Sequence, residues 1–178
     1  MIQDYQTEAD LLYDEQAVEE AIDNTARELG EQVERENPLL VCILNGGLVF
    51  YGKMLTKLNF PLEVDYVHVS RYQDNVGGSE LRWISGPHAD AKGRTIVLVD
   101  DILDEGSTLA GIVDFYNAAG AKRVITVVLV EKDRQRKASL VADFVGLKVP
   151  DRYVFGYGMD YKGYWRNAPG IYAEKEKK

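Results

Sequence analysis

The sequence predicts an α/β protein with a central, mostly parallel sheet flanked by helices. Continuous apolar runs, which are typical of strands buried on both faces, occur at residues 39–44, 95–99 and 124–130. Segments with helical spacing of apolar residues separate them, so strand and helix alternate along the middle of the chain. The 178 residues are enough for one domain, spanning 1–178, whose core needs no disulfide or structural metal.

The N-terminal half opens on an amphipathic helix predicted over residues 14–36, with Asp14 as its N-cap. The first buried strand follows it. A glycine pair then turns the chain into a second helix at about 48–58, and alternating residues predict a strand at 62–69. Residues 70–94 are rich in glycine and polar side chains, so we expect a long loop there, with room for a hairpin.

The C-terminal half continues the alternation. A polar loop after the second buried strand leads into a helix at about 107–118, which Gly120 closes. Beyond the third buried strand, residues 142–147 and 152–157 read as further strands. We expect the charged tail, residues 173–178, to be frayed.

The charge and hydropathy of the chain indicate which kinds of partner it can bind. The chain has 29 acidic and 21 basic residues and a net charge of −8, which argues against nucleic-acid binding because phosphate contacts need a basic face. A small anionic substrate is still compatible, since backbone amides, a few cations and Mg²⁺ can bind it. The N-terminus has no signal-peptide features and no stretch reaches membrane-span length, so we expect a cytoplasmic protein without a membrane partner.

One segment carries the residues of a chemical site. Asp100 and Asp101 follow the second buried strand, Asp104 lies in the loop, and Gly106-Ser107-Thr108 leads into a helix. Ligands of parallel sheets bind beyond the carboxyl ends of the strands, and helix N-termini favour phosphate. Acids beside such an anion site suit a phosphorylated sugar. Two other interpretations are possible for the acids. They could only cap and solvate a loop, or they could be the acidic cluster of a phospho-receiver domain, although such domains lack a helix start directly after the acids.

The segment 97–109 resembles the phosphoribosyl pyrophosphate signature of type I phosphoribosyltransferases. Residues 44–47, 64–72 and 143–161 resemble, in the same order, the first loop, the strand before the lid and the purine-binding region of the hypoxanthine–guanine branch. The resemblance extends from about residue 39 to 172. It implies the type I phosphoribosyltransferase fold, with a small hood region and a mobile lid loop at about 70–80.

The resemblance also implies an activity. A 6-oxopurine (hypoxanthine, guanine or xanthine) and phosphoribosyl pyrophosphate give a nucleoside monophosphate such as IMP or GMP and pyrophosphate, with Mg²⁺ as cofactor, in a homo-dimer or homo-tetramer. A nucleotide-sensing regulator that keeps the phosphoribosyl pyrophosphate site is the alternative. A regulator of that kind should carry a basic face or a fused DNA-binding segment. This chain is acidic instead, and we expect one domain to account for its residues.

By the same resemblance, Asp100 and Asp101 meet the ribose hydroxyls and the first Mg²⁺. Strand alternation sends adjacent side chains to opposite faces, so we expect one of the two acids to act partly through water or a neighbouring side chain. Asp104 is the catalytic residue, placed near N7 of the purine. Residues 104–108 (Asp104, Glu105, Gly106, Ser107 and Thr108) form the 5′-phosphate loop.

Glu105 departs from the family pattern, which has a small hydroxyl residue at this position. A carboxylate beside a phosphate dianion is repulsive. We therefore expect the Glu105 side chain to point away from the phosphate or to pair with a cation, while its N–H contributes to the loop.

The resemblance assigns the purine site to three residues. Lys132 donates to the exocyclic O6 and so favours a 6-oxopurine over adenine, whose 6-amino group is itself a donor. Tyr153 stacks on the base, and the backbone of Val154 reads the base edge. Because stacking tolerates any base, Lys132 and the backbone must set selectivity.

The pyrophosphate site comes from two other stretches. Asp160 corresponds to the ligand of a second Mg²⁺, and Arg166 to the cation on pyrophosphate, for which a bidentate guanidinium is suited. Asn45 and Gly46 correspond to a loop with a non-proline cis peptide whose amide meets pyrophosphate. Asn45 stands where relatives often carry a cation. The lid begins at Ser70, Arg71 and Tyr72.

Overall fold

The structure is a computed structural model that describes residues 4–71, 81–134 and 140–175. Four helices and nine strands occur in these residues. In chain order they are α1 (Tyr5–Glu8), β1 (Ala9–Asp14), α2 (Glu15–Val33), β2 (Leu39–Leu44), α3 (Leu48–Leu55), β3 (Glu63–Arg71), β4 (Leu81–Ser85), β5 (Thr95–Leu103), α4 (Ser107–Ala118), β6 (Arg123–Asp133), β7 (Phe144–Pro150), β8 (Val154–Phe155) and β9 (Gly170–Glu174).

A six-stranded sheet forms the centre, in the order β4-β3-β2-β5-β6-β7. Strands β3, β2, β5, β6 and β7 are parallel to one another, and β4 joins antiparallel to β3. The predicted parallel α/β sheet is therefore confirmed, and β4 supplies the hairpin partner expected within residues 70–94. None of the described helices is long and apolar enough to cross a membrane.

Helix α2 shows how local signals fix an element of this fold. Asp14 is its N-cap and accepts a hydrogen bond from the backbone N–H of Ala17 at 2.9 Å, as expected from the sequence. The helix ends at Val33, three residues before the predicted end. Its apolar stripe, which includes Val18, Ile22 and Leu29, is fully buried in the main core.

Two central strands run further than the apolar runs indicated. Strand β5 continues to Leu103 and β6 to Asp133, and their register includes Asp100 opposite Val128 and Leu103 opposite Glu131. Backbone pairing thus continues past the point where the side chains become polar. Asp100 and Asp101 consequently lie within the last residues of strand β5 and not in the loop that follows it.

A second, three-stranded antiparallel sheet, in the order β1-β9-β8, is the small hood region that the resemblance implied. The expectation of a frayed tail from residue 173 onwards was wrong for its first two residues. Ala173 is fully buried and pairs with both Asp10 and Val154, and Glu174 pairs with Ala9. Pairing with distant strands orders this segment, and its own composition does not reveal those partners.

Candidate active site

Two adjoining cavities, of about 230 and 310 Å³, open at the carboxyl ends of the central strands. Both are lined by Asp101, Ile102, Asp104 and Asp160. The strand extensions of β5 and β6 bring the predicted acids and the predicted lysine to this edge, where ligands of parallel sheets bind.

The larger cavity contains the predicted phosphate loop. Glu105, Gly106 and Thr108 line it, directly before and within the first turn of α4. Gly106 is the N-cap residue and has a φ of 78°, a left-handed conformation that glycine adopts without strain. Because glycine has no side chain with which to cap the helix, the N-terminus of α4 offers backbone N–H groups and a positive dipole end to an anion. Ser107 begins the helix itself.

Asp100 and Asp101 lie closer together than strand alternation predicted. Both line the larger cavity, their side chains hydrogen-bond to each other, and an oxygen of Asp100 also accepts from the N–H of Asp101 at 2.9 Å. The expectation that one of the two acids acts through water or a neighbouring side chain stays a prediction, and the contact between the two carboxyl groups is compatible with it. Burial and the neighbouring carboxylate raise the pKa of Asp100 well above its usual range, and burial raises that of Asp101 although Arg166 opposes it.

The first loop abuts this acid pair. The peptide bond between Leu44 and Asn45 is cis, and it directly precedes the bond between Asn45 and Gly46. A Cβ atom on Gly46 would lie 1.9 Å from Oδ2 of Asp101, so only glycine fits while Asp101 keeps its place. Gly46 lines the larger cavity, and Asn45 is exposed beside it. The loop therefore offers backbone rather than a charged side chain.

Asp160, which lines both cavities, forms an ion pair with Arg166, which lines the larger one. Arg166 donates to Oδ1 of Asp160 at 2.8 Å and to the carbonyl oxygen of Gly158 at 2.6 Å. The other carboxylate oxygen of Asp160 accepts from the N–H of Gly163 at 2.7 Å. The predicted pyrophosphate cation and the predicted second metal ligand are thus adjacent.

Asp104 and Lys132 meet on the wall of the smaller cavity. Lys132, whose side chain is 11% exposed, donates to Oδ2 of Asp104 at 3.0 Å. Arg134 donates to Oδ1 of Asp104 at 2.8 Å. Burial opposes ionisation of Asp104, but the hydrogen bonds and charges of Lys132 and Arg134 lower its pKa. Lys132 and Arg134 therefore favour the ionised form of Asp104, and each of its two oxygens accepts from one of them.

Tyr153, Val154 and Met159 supply the apolar walls of the same cavity. Tyr153 is 46% exposed, and its ring is nearly perpendicular to that of Tyr161, with the ring centroids 5.4 Å apart. A cavity of roughly 150 Å³ with apolar walls already accommodates benzene. The 230 Å³ here leaves room for a flat bicyclic ring beside Tyr153.

Arg134 is the site residue that sequence reasoning missed. It directly follows the last residue of β6 and lies two residues after Lys132. Closeness in the chain to Lys132 was the available signal. Glu105 belongs to the same group of charges, because its negative charge adds to those of Asp104 and Asp151 in raising the pKa of Arg134. The two expectations for the Glu105 side chain, pointing away from the phosphate or pairing with a cation, both stay predictions.

The lid lies largely outside the described residues. Ser70 is half-buried at the end of β3, and Arg71 is the last residue of that strand. Tyr72 and the rest of the predicted lid, up to residue 80, fall outside the described part of the chain.

The fold and the two cavities define a class: an α/β protein in which the N-terminus of the helix after a central strand faces one cavity and a second cavity adjoins it. The chain belongs to the phosphoribosyl transferase domain family, whose model matches residues 8–162.

Individual relatives agree with this assignment. The chain is 37% identical to the hypoxanthine-guanine phosphoribosyltransferase of Bacillus subtilis, over 86% of this chain and 88% of that protein. It is 36% identical to the bifunctional protein TilS/HprT of Listeria innocua, over 90% of this chain, but spans only 25% of that protein's length. The crystal structure of a hypoxanthine phosphoribosyltransferase from Staphylococcus aureus superposes with a TM-score of 0.90, at 26% identity, covering 96% of this chain and 94% of that one.

Proposed function

We propose that this protein transfers the ribose 5-phosphate of phosphoribosyl pyrophosphate to a 6-oxopurine, giving a nucleoside monophosphate such as IMP or GMP. The observation that carries the proposal is the Asp104–Lys132 pair on the wall of a base-sized cavity that opens beside a phosphate loop. An anion site alone would suit many sugar phosphates. A lysine and a carboxylate on the wall of a base-sized cavity add the groups that a 6-oxopurine needs.

Each residue has a task in the proposed reaction. The N-terminus of α4 binds the 5′-phosphate, and Arg166 binds pyrophosphate. Lys132 turns from Asp104 to donate to O6 of the purine. Asp104 accepts the N7 proton while the bond from N9 to C1′ forms and the bond from C1′ to the pyrophosphate oxygen breaks. The Asp104 carboxylate also stabilises positive charge that develops at C1′.

Mg²⁺ is a further part of the proposal. Mg²⁺ commonly binds through one or two carboxylates together with substrate phosphates. Asp100 and Asp101, whose carboxyl groups are in contact, would hold one ion, and Asp160 a second. The bound ion would neutralise charge on the leaving pyrophosphate.

A homo-dimer or homo-tetramer in the cytoplasm completes the proposal, and light scattering of the purified protein would measure the assembly. The alternative of a nucleotide-sensing regulator needs only the phosphate loop. It gives no reason for Asp104, Lys132 and the base-sized cavity to lie together.

A panel of purines tests the function directly. Hypoxanthine, guanine, xanthine and adenine are each incubated with phosphoribosyl pyrophosphate and Mg²⁺, and nucleotide formation is followed by chromatography. We expect turnover with one or more 6-oxopurines and none with adenine. Turnover of adenine alone, or tight nucleotide binding without turnover of any base, would contradict the proposal.

A further inference from the structure

Arg134 contacts the proposed catalytic carboxylate from outside the base-sized cavity. Its NH1 atom lies 2.8 Å from Oδ1 of Asp104 and 3.5 Å from Oδ1 of Asp151. Its Nε atom is buried and has no hydrogen-bond partner among the residues that the structure describes. The position of the guanidinium is therefore set by its contacts with these carboxylates.

The two oxygens of Asp104 have different partners. Oδ2 accepts from Lys132, which lines the cavity together with Asp104, whereas Oδ1 accepts from Arg134, which is not among the residues lining it. A purine that recruits Lys132 to its O6 removes the donor on Oδ2. Arg134 then remains as the cation that holds Oδ1.

We propose, on the basis of the transferase function above, that Arg134 is a positioning residue that holds Asp104 by Oδ1 and so leaves Oδ2 for the N7 proton of the purine. Arg134 has this role without touching substrate. Its separate contact with Oδ1 lets Lys132 leave Asp104 without the carboxylate losing its orientation.

The charges around Asp104 support this division of tasks. Burial opposes ionisation of Asp104, and Lys132 and Arg134 together lower its pKa. After Lys132 turns to the purine, Arg134 is the cation that keeps the carboxylate ionised. Asp104 lines both cavities, and in the described residues the charged or titratable groups near it or lining them are Lys132, Arg134, Arg166, Glu105, Asp151, Asp100, Asp101, Asp160 and Tyr153. Most of these groups are acids. If a neutral residue replaced Arg134, their negative charges would raise the pKa of Asp104.

The test compares Arg134→Gln and Arg134→Lys with the wild type and with Arg123→Gln. Gln removes the charge of Arg134 and keeps one donor, while Lys keeps the charge. Arg123 is a matched control, because it also pairs with a carboxylate, that of Glu36 at 3.2 Å, and also has a buried Nε without a partner in the described residues. Each protein is assayed for kcat and KM across pH with hypoxanthine and saturating phosphoribosyl pyrophosphate.

We expect Arg134→Gln to lower kcat by roughly 10- to 100-fold, the range for misplacing a catalytic group. Removing a neighbouring cation raises the pKa of Asp104, so the acid limb of kcat should move to higher pH. Arg134→Lys should return the acid limb toward that of the wild type. The KM for phosphoribosyl pyrophosphate should not change, since the N-terminus of α4 is intact. Arg123→Gln should match the wild type.

A second measurement needs no turnover. The side-chain carboxyl of Asp104 is titrated by ¹³C NMR in the free protein, with Asp104→Asn used to assign its signal, and the pKa should be higher in Arg134→Gln than in Arg123→Gln. An unchanged titration and an unchanged acid limb in Arg134→Gln, with an active wild type, would overturn the role of Arg134 alone. A wild type that uses no 6-oxopurine would overturn the transferase function itself.

Discussion

Replacing Asp104 with Asn tests the centre of the proposed chemistry. Asn keeps the shape of the side chain and removes the proton acceptor. General acid–base contributions are roughly 10²–10⁴-fold, so kcat should fall by that factor, which corresponds to about 3–5 kcal/mol of transition-state stabilisation. The KM for the purine should stay constant or fall, because Lys132 no longer has to leave an ion pair in order to meet O6.

The structure also gives the expected cost in stability. Asp104 makes two ion pairs, with Lys132 and Arg134, and its side chain is 38% exposed. Partly exposed ion pairs contribute up to about 1 kcal/mol each, so the variant should lose at most about 2 kcal/mol. For a domain of this size that corresponds to a fall in Tm of at most roughly 8 °C. The variant should remain folded at 25 °C, so a large loss of kcat would reflect chemistry.

The assay measures kcat and KM for hypoxanthine at saturating phosphoribosyl pyrophosphate, and Tm by calorimetry on the same samples. Asp23→Asn is the matched control, because Asp23 is ion-paired with Lys57 and its side chain is 61% exposed. It loses a comparable ion pair, away from both cavities, and should keep full activity. A change in kcat smaller than about tenfold in Asp104→Asn would refute the assignment of Asp104 as the proton acceptor.

Four further predictions concern neighbouring parts of the site. Glu105→Thr should leave kcat unchanged and leave or modestly lower the KM for phosphoribosyl pyrophosphate, since a negative charge next to the phosphate is removed; abolished turnover would show that the phosphate loop is out of register. Lys132→Gln should weaken hypoxanthine binding by roughly 10- to 100-fold, the value of a hydrogen bond to a charged group, and should narrow the discrimination against adenine in competition assays. Gly46→Ala should displace the Asp101 carboxylate, which would lie 1.9 Å from the new Cβ, and should raise the KM for phosphoribosyl pyrophosphate with little change in the KM for purine. Activity should vanish when a chelator removes Mg²⁺ and should return when Mg²⁺ is added; full activity in the chelator would contradict the metal proposal.

Much of the fold could be predicted because its signals are local. The apolar run at residues 39–44 matches β2, and the helix expected at 107–118 matches α4 in both bounds. The motif around Asp100 and Gly106 indicated a phosphate loop at the end of a strand, which the cavity lining agrees with. The hood sheet was harder to predict, since β1 and β9 are short strands that owe their order to pairing with each other across the length of the chain.

The sequence by itself determined the α/β class, the family and the residue types of the site. These depend on hydrophobic periodicity and on a motif contiguous in the chain. Only the tertiary structure decided which charges meet. It brought the two carboxyl groups of Asp100 and Asp101 together, and it placed Arg134 on one oxygen of Asp104 while Lys132 holds the other. The physical reason is that these contacts depend on how far the pairing of β5 and β6 extends and on where the side chains at its carboxyl end point. A local sequence pattern determines neither.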